Sequence, residues 1–109
     1  FVLQQMQIPF LKVSREPKED VITYKEIQVL MKKSNLFINT TPLGMFPQTD
    51  FAPEIPYSLL SENDALFDLI YNPQQTLFLK KGKNKNAKTK NGLEMLELQA
   101  EKSWKIWNA

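Results

Sequence analysis

The sequence predicts an α/β chain built on a parallel sheet. Two observations lead there: short apolar runs of strand length alternate with helix-period segments, and turn-forming residues separate them. A third observation bounds the size, since 109 residues amount to one domain's worth of chain.

Phe1 to Gln7 read as the end of a helix already under way, so the chain is expected to continue upstream of Phe1. Phe10 to Val13 read as a buried strand, with Pro9 at its first residues because proline cannot donate to a ladder. Val21-Ile22-Thr23 read as a short edge strand after a polar break. Thr23 followed three residues later by Glu26 makes a capping box. Ile27, Leu30 and Met31 then carry a helical stripe ending near Lys32-Lys33-Ser34.

Leu36 to Asn39 form the next strand, running into the turn-rich Thr40 to Met45. Phe46 to Pro56 contain Pro47, Pro53 and Pro56 and read as an irregular loop, pinned by Ile55, Tyr57, Leu59 and Leu60. Ala65 to Tyr71 is the strongest strand, closed by Asn72-Pro73. A short helix over Thr76 to Lys81 and a short strand over Ala87 to Lys90 follow. Gly92 to Trp107 is a long helix whose stripe of Leu93, Leu96, Ala100, Trp104 and Trp107 is expected to face a core.

Composition excludes several functions. With 42% apolar residues, 24% charged and a net charge of +2, the chain is neither a disordered tail nor a supercharged nucleic-acid binder. Without cysteine there is no disulfide framework and no zinc-thiolate site. Without histidine the commonest general base and metal ligand are gone, so proton transfer needs Asp, Glu, Lys, Tyr or a group from outside this chain. No metal site is expected. No apolar run approaches the roughly 20 residues of a membrane span. Six lysines fall between Lys80 and Lys90, but without interleaved aromatics or a known module they read as a solvated helix end and loop.

In a parallel sheet, ligands bind beyond the carboxyl ends of the strands. Three loops fall there: Ser14-Arg15, Asn39 to Met45, and Tyr71-Asn72-Pro73. Short polar side chains at Asn39, Thr40 and Thr41 suit ribose and phosphate oxygens, or else satisfy their own turn. Asp68, inside an apolar strand, reads foremost as a structural hydrogen-bond acceptor, with a role orienting a site residue as the alternative. Gly92, Met95 and Gln99 share one helix face beside the apolar stripe, a combination better suited to a ligand wall than to a core.

Asn39-Thr40-Thr41-Pro42-Leu43-Gly44-Met45, Phe67-Asp68-Leu69-Ile70-Tyr71-Asn72-Pro73 and Asn91 to Ala100 occur in that order. Together they resemble the C-terminal, nucleotide-binding half of shikimate dehydrogenase, over essentially the whole chain. The resemblance implies a Rossmann-like doubly wound parallel sheet, lacking its first strand and the Gly-rich pyrophosphate loop before Phe1. It implies an NADP-dependent enzyme interconverting 3-dehydroshikimate and shikimate, with the family's catalytic Lys and Asp in an N-terminal substrate domain outside this sequence. No catalytic residue is therefore expected in this chain. Residues 1–109 would form an NADP-binding domain fragment, with helix 92–107 reaching toward the substrate domain.

Residue by residue, the resemblance assigns the cofactor to Ser14, Arg15, Asn39, Thr40, Thr41, Leu69, Gly92 and Met95, and the substrate to Tyr71 and Gln99. Arg15, the sole arginine, stands where such a fold chooses between NADP and NAD, and a guanidinium favours the 2′-phosphate. The family's Asn-Arg-Thr is Ser14-Arg15-Glu16 here. Glu16 opposes phosphate if it faces inward, and Lys18 offsets it. A quinate-using or NAD-using paralogue, or a non-catalytic nucleotide-binding module, are the alternatives. The expected setting is a cytoplasmic monomer or homodimer acting on a small molecule, with neither nucleic acid nor membrane as partner.

One topological expectation follows. With strand order 3-2-1-4-5-6, the first strand lies between Phe10–Val13 and Leu36–Asn39, so these two should not pair unless the sheet closes up directly.

Overall fold

The computed structural model describes residues 10–14 and 21–107. Two parallel ladders are present. Strand β1 (Lys12–Ser14) pairs with β2 (Val21–Thr23), Val13 facing Ile22. Strand β3 (Leu36–Asn39) pairs with β4 (Ala65–Asp68), Asn39 facing Asp68, and β4 pairs with β5 (Lys88–Lys90). The orders are β1-β2 and β3-β4-β5, and no ladder joins β1 to β3 among the described residues. The sheet has thus not closed up directly.

Helix α1 (Tyr24–Leu30) starts as the sequence predicts. The Thr23 N–H donates to Glu26 Oε1 at 3.3 Å and the Thr23 hydroxyl to the same oxygen at 3.0 Å. The helix stops before the expected Lys32–Ser34, because Asn35 folds back. Asn35 Oδ1 accepts from the Lys32 N–H at 2.9 Å, and Asn35 Nδ2 donates to the Lys32 carbonyl at 2.8 Å. These bonds replace a further helical turn.

Helix α2 (Leu77–Lys83) lies over β4 and β5. Ile27, Ile55, Leu60, Leu66, Phe78, Leu79 and Ala87 make one core cluster, with Phe37 and Tyr57 packed against it. The proline-rich loop is therefore pinned as expected by Ile55, Tyr57 and Leu60. Leu59 is the exception at 50% exposed, because the single 3-10 turn Tyr57–Leu59 aims it outward.

Three further expectations are corrected. The Phe10–Val13 strand is displaced to Lys12–Ser14, and its apolar residues Leu11 and Val13 are exposed, since among the described residues β2 is its only ladder partner. The strand over Ala65–Tyr71 ends at Asp68, whose side chain caps the next turn. Helix α3 (Leu93–Trp107) forms, but none of its residues is buried; Leu96, Trp104 and Trp107 all stand exposed. Periodicity located the apolar face without locating anything to cover it.

Candidate functional site

Because β3, β4 and β5 run parallel, the segments that follow them emerge at one edge. A single buried carboxylate ties these segments together. Asp68 is fully buried and faces Asn39 across the ladder. Asp68 Oδ1 accepts from Asn39 Nδ2 at 3.2 Å and from the Ile70 N–H at 3.0 Å; Oδ2 accepts from the Thr76 hydroxyl at 2.6 Å. An isolated buried carboxylate is costly, whereas one with three donors is accommodated. Asp68 is thus the structural acceptor the sequence favoured.

Asn39 extends the network into its own loop. Its Nδ2 also donates to the Leu43 carbonyl at 3.2 Å. Its Oδ1 accepts from the Thr41 N–H at 3.0 Å and the Thr41 hydroxyl at 2.7 Å, and the Thr41 hydroxyl oxygen accepts from the Leu43 N–H at 3.2 Å. Gly44, at φ 104°, turns this loop back so closely that a side chain there would touch Thr76. Thr76 caps α2, its hydroxyl accepting from the Leu79 N–H at 3.3 Å.

The third segment is held by the Gly92 backbone and by the Asn91 side chain. The Gly92 N–H donates to the Ile70 carbonyl at 3.2 Å, and Asn91 Oδ1 accepts from the Leu93 N–H at 3.0 Å. Asn91 Nδ2 donates to the Gln74 carbonyl at 3.0 Å. A Cβ at position 92 would lie 2.0 Å from the Leu69 carbonyl oxygen. Glycine is therefore required for α3 to begin here.

The edge gathers Asn39, Thr40, Thr41, Leu69, Tyr71 and Gly92, with Met95 and Gln99 one and two turns along α3. Their availability differs. Asn39 is 3% exposed with both amide hydrogens and its oxygen engaged, so it shapes the loop and offers no side-chain group to a ligand. The Thr41 hydroxyl likewise donates and accepts within the turn. Thr40, Tyr71 and Gln99 are exposed, and Leu69 and Met95 half-buried. Ser14 ends β1 and is half-buried; Arg15, Glu16 and Lys18 lie outside the described residues, as do Phe1 to Pro9. Sequence reasoning missed Thr76, whose signal was a threonine opening a helix eight residues after a buried aspartate.

Tyr57 is not a proton donor for this edge. Its hydroxyl donates to the Pro53 carbonyl at 2.5 Å, and burial, then Tyr24 and Asp68, push its pKa well above the usual tyrosine value. No cluster of three potential metal ligands occurs among the described residues. No helix among them is long and apolar enough to cross a membrane.

Parallel strands with intervening helices and a ligand-facing carboxyl edge define a Rossmann-like α/β protein. No family model matches the chain. It is 39% identical over 97 residues to the shikimate dehydrogenase (NADP(+)) of Methanococcus maripaludis, covering 88% of this chain and 35% of that protein. It is 47% identical over 85 residues to the protein of the same name from Clostridium beijerinckii, covering 78% of this chain and 30% of that one. Among solved structures it superposes on a chorismate mutase/shikimate 5-dehydrogenase fusion protein from Clostridium acetobutylicum with a TM-score of 0.75, at 39% identity, over 88% of this chain and 36% of that one. A shikimate dehydrogenase solved in complex with NADP+ gives a TM-score of 0.68 at 33% identity, over 97% of this chain and 34% of that one. The chain is related to the C-terminal portion of shikimate dehydrogenases, and it spans about a third of the length of the curated relatives it matches.

Proposed function

We propose that this chain is the NADP-binding part of a shikimate dehydrogenase, catalysing the reversible reduction of 3-dehydroshikimate to shikimate in aromatic amino-acid biosynthesis. The observation that carries the reading is the convergence of the segments after β3, β4 and β5 on one edge, in a chain related to shikimate dehydrogenases. The residues there suit a flat ring with polar substituents. Leu69 and Met95 are partly exposed apolar side chains on this side of the sheet, and Thr40, Tyr71 and Gln99 are exposed polar ones.

A nicotinamide held here would supply the hydride chemistry, exchanging a hydride with the C3 carbon of the substrate. This chain supplies orientation. Leu69, Gly92 and Met95 would lie against the nicotinamide, Tyr71 and Gln99 would hold substrate oxygens by hydrogen bonds, and Ser14 and Arg15 would hold the 2′-phosphate. Asn39 and Thr41 act from behind, by fixing the loop that carries Thr40. Proton transfer belongs to the substrate domain toward which α3 reaches, where its exposed stripe finds a cover. The enzyme is cytoplasmic and works as a monomer or homodimer.

The test is turnover of shikimate with NADP+, followed by absorbance of the reduced cofactor. The complete protein carrying this chain turns over, and residues 1–109 alone do not. Absence of turnover by the complete protein refutes the reading. Faster turnover of quinate with NAD+ replaces it with the paralogue.

A further inference from the structure

Asp68 belongs to none of the groups that contact cofactor or substrate in the reading above, yet it is the most deeply buried polar residue described. Its three hydrogen bonds go to three separate pieces of chain. Through Asn39 it reaches the loop to Met45, through the Ile70 N–H the turn leading to Tyr71, and through Thr76 the start of α2. The loop and the helix start also meet directly, where Gly44 packs on Thr76. Ile70 in turn holds the start of α3 through its carbonyl and the Gly92 N–H. Hydrogen-bond partners one layer behind a site fix the geometry of the layer in front.

We propose that Asp68 is a positioning residue that sets the loop carrying Thr40 and Thr41 and the turn carrying Leu69 and Tyr71 in register with one another, with Thr76 as its lever on α2. The inference rests on the reading of this edge as an NADP and shikimate site. A carboxylate is suited to the position because it accepts from all sides and has no donor to place. An Asn here keeps one acceptor oxygen for Asn39 and Ile70. It turns an NH2 toward the Thr76 hydroxyl, which already accepts from Leu79 and would have to redirect its own proton.

The experiment uses the complete protein with Asp68→Asn, Thr76→Val and Thr76→Ser. Misplaced binding groups act on ground state and transition state alike, so KM should move more than kcat. In Asp68→Asn, KM for NADP+ and KM for shikimate should both rise about tenfold, with kcat falling less than about threefold. Thr76→Val should shift both constants the same way, and Thr76→Ser, which keeps the hydroxyl, should restore both to within about twofold of wild type. Lower melting temperature in Asp68→Asn with both KM values unchanged overturns the proposal, as does Thr76→Ser behaving like Thr76→Val. Should the wild-type protein turn over neither substrate, the functional reading fails and amide hydrogen exchange decides the positioning claim. Faster exchange at Thr41, Leu43 and Ile70 in Asp68→Asn, with Leu66 unchanged, supports it; unchanged exchange at all four overturns it.

Discussion

Replacing Gly92 by alanine tests whether the start of α3 is seated on the backbone of β4's exit turn. The added Cβ would lie 2.0 Å from the Leu69 carbonyl oxygen, 2.6 Å from its carbonyl carbon and 3.1 Å from its Cα. Ordinary contact begins near 3.4 Å, so the overlap with oxygen is about 1.4 Å. All three atoms are backbone, so no rotamer change relieves the clash. Either α3 or the Leu69–Ile70 turn must move by about 1 Å, and the Gly92–Ile70 hydrogen bond at 3.2 Å is lengthened or lost. Overpacking of this kind costs about 1–3 kcal/mol. The same displacement shifts Met95 and Gln99 relative to the turn after β4, and misplacement of about 1 Å lowers kcat/KM by up to about a hundredfold. Urea unfolding measures the first effect and steady-state kinetics of the complete protein the second. Unchanged stability together with unchanged kcat/KM in Gly92→Ala would refute the seating of α3 on Leu69.

Three other outcomes are expected. Arg15→Ala should weaken NADP+ binding by about 1.5–3 kcal/mol while leaving NAD+ nearly unaffected, read by fluorescence titration; equal losses would mean that Arg15 does not read the 2′-phosphate. Asp64, 2% exposed, accepts from the Asn35 N–H and Nδ2 and from the Ser61 N–H, each at 2.9 Å; Asp64→Ala should destabilise by about 3 kcal/mol in urea unfolding without changing either KM in the complete protein, because it sits at the opposite end of β4 from the edge. Tyr57 keeps its proton in the folded state after the unfolded chain has begun to lose it near pH 10.0. Above that pH the unfolded state binds fewer protons, so stability falls as pH rises; the fall should shrink in Tyr57→Phe, and an identical pH profile in both proteins would count against the buried phenol.

The strand Leu36–Asn39 and the helices after Thr23 and Gly92 were legible because apolar runs and stripes, and at Thr23 a capping box, are local signals; the strand expected over Ala87–Lys90 forms at Lys88–Lys90 and the helix expected over Thr76–Lys81 at Leu77–Lys83. The end of β4 was not, because Leu69, Ile70 and Tyr71 continue its apolar run while the Asp68 side chain, by bonding the Ile70 N–H, turns the backbone. Asn39 illustrates a different limit. A polar residue at a ligand-facing strand end is a sound candidate for ligand contact, but one of its partners, Asp68, is 29 positions away in sequence, and only the fold shows that its amide is fully engaged. Thr40 follows the end of β3, and Met95 and Gln99 lie within α3, because strand ends and helical segments are local properties of the sequence.

Both tryptophans of the chain, Trp104 and Trp107, stand exposed on α3. Intrinsic indole emission from this chain therefore originates at a single helix, from two rings one turn apart that are both largely exposed among the described residues. Red-shifted, readily quenched emission would signal that α3 is in water, and a blue shift with loss of acrylamide quenching would signal that something has come to rest on it. The protein thus carries its own optical probe for whatever docks against that helix, needing no label and no substitution.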